Sequence, residues 1–180
     1  MIGRRLGGIA IAMLPAMTTA SGQGTYVWSD VECTKSRVAP ISGTTCRTTN
    51  VAAGGDAAGG TGQRHSVRGA TLQGYVLVVM SEAISSGSYV LTRLSAVDYL
   101  KLIDKRAANA SDWSEGTVYG GADYYTFQSG EGEACVGFGK LGEKRSGGYA
   151  WMMSGLLCAP AGKTLQPAQI TQFIDGARVR

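Results

Sequence analysis

Residues 72–80 read LQGYVLVVM, and after Gly74 the run holds no charged residue. At the two-residue period of a strand, apolar side chains fall on both sides of such a run. It therefore predicts a strand buried on both faces. Outward from it, residues 89–94 read as a second, shorter strand. Residues 117–127 and 133–140 follow as strands joined through Ser129-Gly130, and residues 149–158 as another entered through Gly147-Gly148. Alternation along the third of these puts Glu131, Glu133, Cys135 and Gly137 on one side and Ala134, Val136 and Phe138 on the other.

Two segments carry helical signals. Ser95-Ala96-Val97-Asp98 has the form of a capping box, and Ala96, Leu100, Ile103 and Ala107 then fall on one face. Pro167 suits a first helical position, with Ile170, Phe173, Ile174 and Ala177 as the stripe behind it and Gly176 near the end. The expectation is an α+β fold: an antiparallel sheet of about 4–5 strands packed against two helices, over residues 95–107 and 167–176, and stapled by disulfides.

Residues 1–20 read as a signal peptide. Arg4 and Arg5 lead an apolar run over 6–17, and Thr18-Thr19-Ala20 offers a cleavage site before Ser21. That run falls short of the ~20 residues a membrane span needs. The arginine pair leaves the export route, general or twin-arginine, open. Residues 21–50 are expected as an N-terminal arm and 51–63, VAAGGDAAGGTGQ, as a linker. The main domain is expected over 64–180.

Four cysteines, Cys33, Cys46, Cys135 and Cys158, lie beyond the expected cleavage site. An even count in an exported chain argues for bridges. Three pairings are possible. The local set, Cys33 with Cys46 and Cys135 with Cys158, is preferred because each pair flanks its own turn signals. Structural zinc and a redox thiol pair both want closer spacing.

Lys and Arg number 17 against 13 Asp and Glu. Without Arg4 and Arg5 the balance is 15 to 13, too small to imply nucleic acid or an anionic surface as partner. No further run has membrane length, so no stable membrane insertion is expected after cleavage.

Cys135-Val136-Gly137-Phe138, Gly148-Tyr149, Gly155-Leu156-Leu157-Cys158, then Gly162 and Leu165 carry a resemblance. Over residues 135–180 the chain resembles the C-terminal module of small exported alphaproteobacterial proteins. The resemblance implies an extracytoplasmic module with a strand-to-strand disulfide, and it brings no activity or catalytic residue with it.

Chemistry is sparse. The one histidine, His65, follows the Gly-rich stretch and reads as a solvated loop residue. No P-loop lysine, dinucleotide fingerprint or calcium loop is present, so no cofactor is expected. Glu131 and Glu133 on one strand would project to one side about 7 Å apart, a spacing for paired acid and base work. Two solvent-facing residues at a hairpin is the simpler account. Asp112, Glu115 and Asp123 form a looser acidic set. Tyr125 with Phe127, and Tyr149 with Trp151, would make a platform for sugar or peptide if exposed, and fill the core if not. By elimination the sequence points to a non-catalytic periplasmic or secreted module that binds an envelope component or partner protein. The alternatives are a small envelope hydrolase using Glu131 and Glu133, and a structural or assembly subunit without a ligand.

Overall fold

The computed structural model describes residues 27–51, 57–58, 62–84, 89–90 and 94–180. The expected signal segment, 1–20, lies outside the described residues. The apolar run becomes β5 (Gly74–Ala83), whose Val76 to Ser81 are all buried. It turns out of β4 (Gly62–Thr71) through Leu72-Gln73, with Thr71 opposite Gly74. Gly74 sits at φ +122°, and a Cβ there would lie 2.0 Å from the Cys158 carbonyl oxygen. The tight turn and the close approach of the neighbouring strand both demand glycine.

Around this hairpin runs an antiparallel sheet of eight strands. The others are β1 (Ser29–Val31), β2 (Thr45–Val51), β7 (Thr117–Tyr119), β8 (Ala122–Gln128), β9 (Ala134–Leu141) and β12 (Trp151–Cys158), in the order β1-β2-β4-β5-β12-β9-β8-β7. A smaller sheet runs β10-β11-β6-β3, from Lys144–Arg145 (β10), Gly148–Tyr149 (β11), Tyr89–Val90 (β6) and Ala57–Ala58 (β3).

The fold expectation of 4–5 strands against two helices is thus corrected: the protein is mostly sheet, with short helices. The missed strands lie where the sequence is polar and Gly- or Thr-rich. Strand β4, GQRHSVRGAT, carries no apolar run, and its place comes from pairing with β5 along ten residues. Residues 21–50 are expected as an arm, yet their described part supplies β1 and β2, and β2 pairs with β4 from Thr45 to Val51. Of the expected linker, 52–56 and 59–61 lie outside the described residues, while Gly62 and Gln63 already belong to β4.

Both faces of the sheet are covered, as β5 requires. Val76, Val78 and Met80 point into a core with Val136, Phe138, Met153 and Leu157, closed by Phe173, Ile174 and Ala177. The first two of these belong to α3 (Pro167–Gly176). On the other side Leu77, Val79 and Leu156 meet Leu100 and Ala107. The expected 95–107 helix is two: α1 (Ala96–Ile103) and α2 (Lys105–Ala108). Ser95 caps the first by accepting from the Asp98 amide at 3.1 Å, and Asp104 breaks the run and caps the second through the Arg106 amide at 2.8 Å. At Gly137 a Cβ would meet Leu100 Cδ1 at 2.5 Å, so this glycine lets α1 settle on the sheet.

The end of α3 is tied to β9. Lys140 Nζ donates to the Ile174 and Ala177 carbonyls at 2.5 and 3.0 Å, giving two orphan helix acceptors a cationic donor. Burial pushes the Lys140 ammonium below its ordinary pKa, with Asp175 opposing. Both expected disulfides are present. Cys33–Cys46 joins a 3-10 turn over Cys33–Lys35 to β2, and Cys135–Cys158 joins directly opposed residues of β9 and β12, with Cα atoms 5.1 and 4.1 Å apart respectively. Among the described residues no helix is long and apolar enough to cross a membrane.

Candidate functional site

Glu131 and Glu133 lie in the turn between β8 and β9, because β9 begins only at Ala134. They therefore do not project side by side from a strand. Ser129 organises the turn: its Oγ accepts from the Glu131 and Glu133 amides at 3.3 and 3.1 Å, and its hydroxyl donates to Glu133 Oε2 at 3.1 Å. Each carboxylate then has its own cation on α2. Lys105 Nζ lies 3.6 Å from Glu131 Oε1, both side chains well exposed, whereas Arg106 Nε donates to the largely buried Glu133 at 3.1 Å.

The Arg106 contact extends inward. Its guanidinium lies 3.9 Å from the centre of the Tyr75 ring and 3.8 Å from Asp104 Oδ1, and the Tyr75 hydroxyl donates to Asp104 Oδ2 at 3.0 Å. Burial, reinforced by the Asp104 carboxylate, pushes the phenol pKa up to about 12, so it stays a donor. A continuous polar network, Glu133–Arg106–Asp104–Tyr75, thus fastens α2 to the β8–β9 turn and to β5. Glu133 also stands beside the second bridge: its carboxylate and the sulfurs of Cys135 and Cys158 lie within 4.8 Å of one another. The sulfurs are bonded to each other, so the trio offers a staple and not a set of thiolate ligands.

The four aromatic residues are not gathered into one platform. Phe127 is buried on the α1 side and stacks on Trp113 with centroids 4.2 Å apart, a partner the sequence reading missed. Tyr125 shares that side by alternation and lies against Gly116. Trp151 packs on the opposite core, against Gly142, and Tyr149 belongs to β11 opposite Val90.

His65 is the larger surprise. It sits in β4 with 1% of its surface exposed, not in a solvated loop. Its Nδ1 accepts from the Arg37 amide at 3.4 Å, which leaves Nε2 as the protonated nitrogen donating to Glu82 Oε1 at 2.9 Å. Arg37 Nη1 in turn lies 3.6 Å from Glu82 Oε2. Burial raises the Glu82 pKa, but the hydrogen bond from His65 and the Arg37 guanidinium outweigh it and hold the carboxyl below its ordinary value. His65 alternates with Val67, but the polar Gln63-Arg64 beside it reads as strand only once β5 is its neighbour, so no sufficient signal lay in the sequence alone.

A shallow depression of about 230 Å³ opens beside the end of β8, lined by Asp112, Thr126, Gln128, Thr164, Leu165 and Ile170 among others. Asp112 holds a left-handed backbone, φ +54°, at its edge. The volume is below the roughly 300–1,000 Å³ of ordinary small-molecule sites, so it fits a single side chain or a comparable group. No family model, curated protein or solved structure matches the chain.

Proposed function

We propose that this protein is an exported, non-catalytic module that binds a component of the cell envelope. One observation carries the reading: the chain's one histidine and the better buried of its two candidate carboxylates both serve to hold the fold. His65 has both ring nitrogens engaged, by Arg37 and Glu82. Glu133 is engaged by Arg106 and by Ser129. General acid or base work needs a group within reach of a substrate proton, and these two face protein partners instead. Export is supported by the two disulfides, which persist in oxidising compartments, and by the reading of residues 1–20 as a signal. The resemblance of residues 135–180 to an extracytoplasmic module agrees with it.

The test joins cell fractionation to an activity screen. The tagged full chain is expressed in a bacterium, its N-terminus sequenced, and the purified protein incubated with isolated envelope polymers. The expected result is recovery outside the cytoplasm with a start near Ser21, both bridges intact, and no polymer turnover. Cytoplasmic protein retaining Met1 would overturn export. Turnover lost in the Glu131→Gln, Glu133→Gln double variant would overturn the non-catalytic reading in favour of a hydrolase.

A further inference from the structure

Residues 111–114 strap the outer edge of β8. Ser111 and Gln128 exchange both backbone hydrogen bonds at 3.0 Å. The Ser114 amide donates to the Thr126 carbonyl at 2.8 Å, and Ser114 Oγ accepts from the Thr126 amide at 2.9 Å. Two residues, Asp112 and Trp113, therefore stand against one, Phe127, as in a β-bulge. Trp113 is drawn inward onto the Phe127 ring, which leaves Asp112 to absorb the extra residue at φ +54°. Glycine adopts that conformation at no steric cost. The backbone here has no need of a carboxylate, yet it holds one in a fixed, exposed place.

Asp112 stands at the rim of the depression of about 230 Å³, and it is the one charged residue that lines it. Half-buried Leu165 and Ile170, both packed against the core, make an apolar wall with Ala134. Thr126, Gln128 and Thr164 add uncharged polar groups. Phe127 belongs to the lining too, but its ring is stacked on Trp113. Exposed Lys163, next to Thr164 in the chain, is not among the lining residues.

We propose that this depression receives a lysine side chain presented by an envelope polypeptide; that the envelope supplies it rests on the function proposed above. A methylene stem suits Leu165, Ile170 and Ala134, and an ammonium head suits a rim whose one charge is an acid. Among the described residues the Asp112 carboxylate has a single donor, the Ser111 hydroxyl, 3.1 Å from Oδ2. Oδ1 is left for the ligand. One oxygen serves the point charge of an ammonium, whereas a guanidinium fork is best paired by two. A sugar ring fits less well, since the aromatic face it would stack on is covered by Trp113.

Capped Ala-Lys-Ala, Ala-norleucine-Ala and Ala-Arg-Ala peptides are titrated into the isotope-labelled full chain, with amide chemical shifts as the readout. The lysine peptide should shift the amides of residues 111–114, 126–128 and 164–166, and saturate in the millimolar range. Norleucine, an aliphatic stem without the ammonium, and arginine should each bind roughly 2- to 5-fold more weakly, one exposed ion pair's worth. Asp112→Asn tolerates the same left-handed backbone, so its thermal midpoint should match wild type. It should bring lysine down to the norleucine level and leave norleucine unchanged. Absence of shifts at residues 111–114, equal affinity for lysine and either analogue, or wild-type lysine binding by Asp112→Asn would overturn the proposal. Fractionation reads export separately, so loss of either conclusion leaves the other measurable.

Discussion

Nε2 of His65 and Oε1 of Glu82 lie 2.9 Å apart on neighbouring strands, beneath the bridge that joins residues 37–39 to 178–180. The histidine holds that bridge from below through the Arg37 amide, while Glu82 holds the histidine. Removing the ring in His65→Ala leaves the Glu82 carboxylate to Arg37 alone and the Arg37 amide without its acceptor. The cost should be about 1–3 kcal/mol or more, read as a lower denaturant midpoint with unchanged slope.

The same pair sets a pH dependence. The folded Glu82 pKa lies below its ordinary 4.5, so the unfolded chain takes up the proton first as pH falls. Its contribution is complete above the unfolded value and fades as pH drops through the folded one. Thermal midpoints of wild type and Glu82→Gln should therefore differ by a constant amount above that value and converge below it. A gap that widens on acidification would contradict this.

The two bridges should matter about equally. They close loops with sequence separations of 13 and 23, for which chain entropy gives about 3 and about 3.5 kcal/mol. Residues 21–50 are expected from the sequence as an arm, which would make Cys33–Cys46 the lesser bridge. Since Cys46 lies in β2 and packs with Val67 and Val78, paired Cys→Ser variants at either bridge should lower stability by similar amounts in equilibrium denaturation.

Gly74→Ala should be among the costliest single-methyl changes in the chain. It combines φ +122° with a Cβ only 2.0 Å from a backbone oxygen of β12. Neither the turn nor that oxygen can retreat without shifting the β5–β12 register. A loss of roughly 2–4 kcal/mol is expected by thermal or chemical unfolding.

Deleting residues 27–51 should abolish cooperative thermal unfolding of the remainder. The deletion strips β1 and β2 from the sheet, opens the edge of β4 and removes the segment paired with Val179. A truncated chain that still melts sharply would show that the rest folds alone.

What could be read from the residues was what neighbours in sequence decide. The run after Gly74 names its own burial on two faces. Ser95 and Asp98 mark the start of a helix, Pro167 with Ile170, Phe173 and Ile174 marks another, and each cysteine pair brackets its own turn. The candidate site was less legible: Glu131 and Glu133 were singled out, but their cations on α2 were not, because Arg106 reaches Glu133 only after α1 and α2 dock on the sheet. Tertiary structure alone decided the rest. Strand β12 enters between β5 and β9, a choice between pairings of similar apolar runs that no local pattern states. A strand as polar as β4 exists because its backbone is satisfied by β2 and β5, and this turns His65 from a loop residue into a buried one. The balance of charge along the sequence likewise says nothing about which charges meet, since charges sum along a chain without regard to place. Only the pairing of Val38 with Val179 sets Arg37 against Arg180.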